Sequence, residues 1–176
     1  MISVDCDGYT FSFEDAIDAF KFDETDPHQP NYHGVPMKAV DVIAEFEGAY
    51  IFIEMKEFDN VEEYDVSTTT DEGEKSQRNA LFKWLKNYLK YKYRDSFLFR
   101  YAEKKVDKPV HYICLLNFNN ALCSKMKKFL AKELPVGKKS RRWHNKIAES
   151  CQVMNMNKWE TEYPKWRITP HIPNGN

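Results

Sequence analysis

Glycine is scarce in this chain. There are six in 176 residues, and the closest two, Gly34 and Gly48, lie fourteen positions apart. That spacing excludes GxGxxG and Walker A loops, and with them nucleotide binding through a glycine-rich phosphate cradle. Long apolar runs are also missing. The longest span five residues, 49–53 and 112–116, far too few for a membrane helix. The four cysteines (6, 114, 123, 151) include no CxxC pair, and the five histidines form no HExxH or HxxxH pair. A histidine- or cysteine-based zinc site is therefore not expected, and the cysteines read as reduced and structural. The opening residues MISVDCDGYT lack a basic-then-apolar leader, so a cytoplasmic protein without membrane contact is expected.

What is present is a chain able to fold. It is 42% hydrophobic and 15% aromatic, and its length suits one domain over 1–176. The formal net charge of −1 hides a division. Residues 1–75 carry 20 Asp and Glu against 4 Lys and Arg, a net −16. Residues 76–176 carry 7 against 22, a net +15. One domain that sets acidic groups beside a basic surface suits a polyanion partner, with the acids able to hold a cation.

Along the chain, residues 2–11 predict an edge strand or hairpin turning at Asp7-Gly8. Ser12 with Asp15 imitates a capping box for a helix over 12–22, whose stripe is Phe13, Ala16, Ile17 and Phe20. Residues 22–36 read as a loop. Residues 38–46 and 49–56 alternate about Glu47-Gly48, a hairpin signal. The acidic stretch 57–74 reads as a mobile loop. Residues 75–94 predict a helix burying Leu81, Trp84, Leu85, Tyr88 and Leu89. HYICLLNF (111–118) predicts a buried strand. Asn119 or Asn120 caps a helix to about 133, residues 151–160 predict a further strand, and 164–176 is expected to fray in part.

The hairpin carries the chemistry. A two-residue turn at 47–48 pairs Phe46 with Ala49, so paired positions sum to 95 and Asp41 falls opposite Glu54. Lys56, two residues on, shares the face of Glu54. Val40, Val42, Ala44, Ile51, Ile53 and Met55 take the other face as core. Directly opposed like charges destabilise a sheet by up to about 1 kcal/mol, which a neighbouring lysine or a divalent cation relieves. The plainer alternative is a solvated polar face with an ordinary Glu54–Lys56 contact.

Asp41, twelve residues, then Glu54-Met55-Lys56 resembles the D-x(n)-(D/E)-x-K signature of the PD-(D/E)XK nuclease superfamily. The order helix 12–22, hairpin 38–56, helix 75–94, strand 111–118, helix 120–133 is similar to that superfamily's core. Val40 stands where proline precedes the aspartate in the motif, and Pro36 lies five residues upstream of Asp41. The resemblance implies an α/β, restriction-endonuclease-like αβββαβ core over 12–133, a mixed sheet flanked by helices, with 134–176 as a C-terminal extension. It implies Mg²⁺ or Mn²⁺ held by Asp41, Glu54 and the Met55 carbonyl. Lys56 would orient or polarise the attacking water and balance the transition-state charge. Glu14, in the first turn of helix 12–22, would be a further acidic contributor, with Asp18 as rival. Gln77 opens the basic helix, but Leu81 stands where some exonuclease-like branches place a tyrosine.

Around this site the expected nucleic-acid contacts are Gln77, Arg78 and Lys83, and the cluster Lys138, Lys139, Arg141 and Arg142 with Trp143, which could stack on a base. Lys86, Lys90, Lys92 and Arg94 are expected on the exposed part of the same helix. The function expected is a divalent-metal-dependent nuclease hydrolysing phosphodiester bonds, in DNA first, and a homodimer is one way to reach both strands. The alternatives are a non-catalytic nucleic-acid-binding module on the same fold, and an interaction protein using its acidic half as the surface.

Overall fold

The computed structural model describes residues 1–32 and 37–171. Residues 33–36, which include Pro36 upstream of Asp41, and residues 172–176 lie outside the described residues. The first strands are β1 (Ile2–Cys6) and β2 (Tyr9–Phe13), paired antiparallel. The Asp7-Gly8 turn between them has positive φ at both residues, 49° and 81°, the geometry that a two-residue hairpin needs.

The expected helix 12–22 does not form. Its first residues belong to β2, and Asp18–Lys21 make strand β3 instead. Phe11 and Phe13 alternate inward on β2, and Phe13 packs edge-on against Phe46 and Trp166. Ile17, meant for the helical stripe, is 57% exposed. Pairing with neighbouring strands outweighs a local capping signal here.

β3, β4 (Val42–Glu45) and β5 (Tyr50–Lys56) form an antiparallel meander. A long helix, α1 (Glu72–Ala102), crosses to β6 (Val110–Leu116), which runs parallel to β5. Helix α2 (Asn120–Glu133) crosses to β7 (Ser150–Met154), parallel to β6. The result is a mixed five-stranded sheet, ordered β3-β4-β5-β6-β7. Residues 155–170 supply a short helix α3 (Met156–Glu162) and strand β8 (Trp166–Pro170). β8 pairs with β2, so the tail expected to fray joins a three-stranded sheet β1-β2-β8. The fold is thus α/β, with two sheets and three α-helices among the described residues.

The two longest apolar runs are the central strands β5 and β6, buried on both faces as parallel strands require. One face packs Ile43, Phe52, Tyr112 and Cys114 against Leu85, Leu89 and Tyr93 of α1 and Leu122 and Met126 of α2. The other packs Val42, Ala44, Ile51, Ile53, Ile113 and Leu115 against Phe11, Phe13, Trp159 and Ile168. All four cysteines are buried and free. Asn119 caps α2 by accepting from the Leu122 N–H at 2.9 Å, as its sequence position indicates. Residues 57–71 are less loose than expected. They hold 3₁₀ turns at Val61–Tyr64 and Val66–Thr68, and Tyr64 is buried against Phe58 and Phe118. No helix among the described residues is long and apolar enough to cross a membrane.

Candidate functional site

The hairpin register is the one the turn dictates. Val42 pairs with Ile53, Ile43 with Phe52, Ala44 with Ile51 and Glu45 with Tyr50, and the Phe46 N–H donates to the Ala49 carbonyl at 2.8 Å. One step beyond Val42–Ile53, Asp41 faces Glu54. The face they share is not solvated. It packs under α1, and Asp41 is 4% and Glu54 1% exposed. Asp41 is clamped by backbone: its Oδ2 accepts from the Met55 N–H at 2.6 Å, and its carbonyl accepts from the Phe22 N–H at 2.8 Å. Helix α1 holds the approach to it, since the Val40 N–H donates to Ser96 Oγ and the Lys38 N–H to Asp95 Oδ2.

Lys92 completes the cluster. Its ammonium lies 2.8 Å from Asp23 Oδ2, 3.4 Å from Asp41 Oδ1 and 3.3 Å from Glu54 Oε2. It was expected on the exposed side of its helix, yet it is 5% exposed. The signal was in the spacing: 85, 89, 92 and 96 form one inward stripe, and a lysine on such a stripe needs a buried partner. Asp23 was missed because it lies just past β3, in a stretch read as loop.

Burial pushes the Glu54 carboxyl well above its ordinary range, Asp41 adds to this, and Lys92 and Tyr88 act against it. Asp41 is raised in the same way, first by burial, with Lys92 and the Met55 N–H opposing. Burial alone would lower the Lys92 ammonium, but Glu54 and Asp41 outweigh it and hold it above its usual range. Glu54 Oε2 is fully buried, and the Lys92 ammonium at 3.3 Å faces it outside good hydrogen-bond geometry. Two buried carboxylates that share one ammonium are also a pair that could hold a hard divalent cation, which takes one or two carboxylates and completes its shell with water and phosphate. Among the described residues, no group of three or more carboxylate, histidine or cysteine side chains converges as a cation site. The side chains that could hold a cation at this point are Asp41 and Glu54.

Lys56 ends β5 two residues after Glu54 and is half-buried. Its ammonium lies 5.3 Å from the centre of the Tyr88 ring and 5.8 Å from that of Phe58. Lys38 and Lys92 approach the same Tyr88 ring at 4.4 and 5.5 Å. Tyr88, expected in the core, is instead the half-buried ring on which three lysines converge beside Glu54.

Other expected residues are not brought here. Glu14 is exposed in the turn between β2 and β3, its N–H donating to the Lys165 carbonyl. β3 meets Asp41 through Phe22 at its other end, so Glu14 and Asp18 lie away from the carboxylates. Arg78 is occupied structurally, donating to the Glu62 and Asp65 carbonyls, Thr68 Oγ1 and Glu74 Oε1. Gln77 and Lys83 are exposed on α1. Lys86 and Lys90 pair with Glu133, and Arg94 donates to the Glu133 carbonyl, so these three bind α1 to the end of α2. Lys138, Lys139, Arg141 and Arg142 are exposed and Trp143 is half-buried. That segment leads into Ser150, which pairs with His111, at the opening end of the parallel strands. The carboxylates sit at the closing end. A cavity of about 400 Å³ lined by Phe46, Ile51, His111, Ile113, Tyr163 and Trp166 also opens near the strand starts, on the face away from α1. It is separate from the carboxylate cluster.

No protein-family model, curated protein or solved structure matches the chain.

Proposed function

We propose that the chain is a divalent-metal-dependent nuclease of the PD-(D/E)XK kind, acting on phosphodiester bonds, in DNA first. The observation that carries this is the buried Asp41–Glu54 opposition at the end of β5, with Lys56 two residues further on the same face. The succession β3-β4-β5-α1-β6 supports it, because it has the same order as the βββαβ part of the restriction-endonuclease-like core; the helix that would precede it is replaced by strand. Ligands of such open sheets sit beyond the carboxyl ends of parallel strands, where Lys56 lies.

Asp41, Glu54 and the Met55 carbonyl would hold Mg²⁺ or Mn²⁺, which supplies charge neutralisation at the phosphate and a more acidic water. Lys92 keeps the two carboxylates together and limits their repulsion. The Met55 N–H fixes one oxygen of Asp41 and leaves the other facing the shared space. Lys56 would orient the attacking water and stabilise charge growing on the phosphate oxygens.

The second reading is a non-catalytic nucleic-acid-binding module on the same fold. The Lys92 ammonium favours it, because at 3.3–3.4 Å from both carboxylates it can balance them without a metal. Purified protein incubated with plasmid DNA and with RNA in Mn²⁺ or Mg²⁺ separates the two. The nuclease reading expects nicking that Lys56→Ala lowers about 10²–10³-fold at unchanged fold. Equal activity in wild type and Lys56→Ala marks a contaminant. Retention on DNA without cleavage in either cation leaves the binding module.

A further inference from the structure

Trp84 stands one helical turn before Tyr88 on α1. Its ring stacks on that of Tyr88, with centroids 5.4 Å apart and planes 26° from parallel. Its residue is 49% exposed, while Phe82 and Leu85 beside it on the helix are buried. A chain of contacts therefore leads outward from the buried carboxylates: Glu54, Tyr88, then Trp84. The lysines at 38 and 56 approach the Tyr88 ring from the strand side. An exposed indole stacked on a tyrosine that carries lysine ammonium groups combines the two elements of single-strand recognition, a flat apolar ring for a base and positive charge for its phosphate.

We infer that Trp84 is a stacking platform for an unpaired DNA base next to the carboxylate site, so that the site takes single-stranded or frayed DNA in preference to closed duplex. This rests on the nuclease reading for its choice of nucleic acid. The physical reason for the preference is simple. In duplex DNA both faces of each base are covered by its neighbours, and only an unpaired or terminal base can offer a face to Trp84. Tyr88 backs the indole on one side. The lysines supply the sequence-independent attraction that brings the strand to it.

The test is fluorescence anisotropy of a short labelled oligothymidylate and of a labelled duplex of equal length, at low salt in EDTA so that no cleavage occurs. Wild type, Trp84→Ala, Trp84→Phe and Trp84→Leu are compared, the last keeping an apolar body without a ring should the alanine variant fold poorly. The expected result is single-strand affinity lowered about tenfold in Trp84→Ala and Trp84→Leu, mostly kept in Trp84→Phe, and duplex affinity changed less than about twofold. Equal loss for both DNA forms, or no loss in Trp84→Leu, overturns the platform and leaves Trp84 as packing on Tyr88. The plasmid assay distinguishes the two failures. Selective loss of single-strand affinity without metal-dependent cleavage by wild type removes the nuclease and keeps the platform. Cleavage with unchanged single-strand affinity does the reverse.

Discussion

Helix α1 turns two buried cations toward the five-stranded sheet, Lys92 and, two turns on, Arg100, and their surroundings differ in kind. The Arg100 guanidinium donates to the half-exposed Glu103 at 2.6 Å and lies 5.4 and 5.8 Å from the centres of the Phe20 and Tyr50 rings. One cation meets one acid that can still reach water, and the rest of its surroundings are aromatic. Lys92 meets Asp23, Asp41 and Glu54, the last two buried as fully as itself. Burial of charge is expensive unless paired, so a structural ion pair tends toward balance. The Arg100 end pairs one cation with one acid in charge, although the buried Arg100 Nε meets no hydrogen-bond partner among the described residues. At the Lys92 end two buried carboxyls and the partly exposed Asp23 share one ammonium, an excess of acid that the proposed cation would relieve.

The sharpest contrast is in catalysis. Lys56→Ala, at the Lys92 end, should lower the cleavage rate about 10²–10³-fold. Arg100→Met should change it by less than about twofold, read as single-turnover rates on plasmid. Next comes stability in EDTA near neutral pH. Lys92→Met leaves two buried carboxylates without their counter-charge and should cost about 3–5 kcal/mol in urea unfolding. Arg100→Met releases Glu103 to water and should cost only about 1 kcal/mol. Saturating Mn²⁺ should recover part of the loss in Lys92→Met and none in Arg100→Met. Equal losses with no metal effect would erase the contrast.

A smaller effect is expected from Glu54→Gln. The Glu54 carboxyl is raised in the folded chain, so between its unfolded and folded values the native state binds the extra proton. Its contribution is complete below about pH 4.5 and is lost as pH rises through the folded value. Glu54→Gln should therefore gain about 1 kcal/mol near neutral pH in EDTA and lose the pH slope there, checked by thermal melts across pH. The smallest effect is set by distance. Arg141→Ala with Arg142→Ala, at the strand-opening end, should change plasmid cleavage by less than about twofold while reducing the salt dependence of retention, checked by binding titrations in increasing salt.

Much of this contrast was legible in the sequence where local rules set the geometry. The Glu47-Gly48 turn fixed a register that the side-chain period of two carried to Asp41 and Glu54. Asp7-Gly8 marked a tight hairpin, and Asn119 marked the start of α2. What escaped depended on long-range packing. Ser12 and Asp15 offered a helix start, but Phe11 and Phe13 were claimed by β1, β8 and the sheet beneath. Trp84 and Tyr88 lay on the apolar stripe by spacing, yet the sheet below α1 ends in charge at that point, so the Tyr88 ring meets the lysines and Trp84 stacks on it from outside. Lys92 was read as one of many solvated lysines, because a count of charge along a helix does not say which face meets acid. The acidic and basic halves were legible as composition, but not that the basic segment 138–146 would sit at the other end of the strands from the carboxylates.

Manganese binding followed by electron paramagnetic resonance, in wild type and Asp41→Asn, tests the central claim most directly. The account predicts one bound Mn²⁺ per chain in wild type, and its loss in Asp41→Asn at unchanged fold. Wild type that binds no Mn²⁺, or an Asp41→Asn variant that binds it equally well, would contradict the account and make Lys92 the only cation these carboxylates hold.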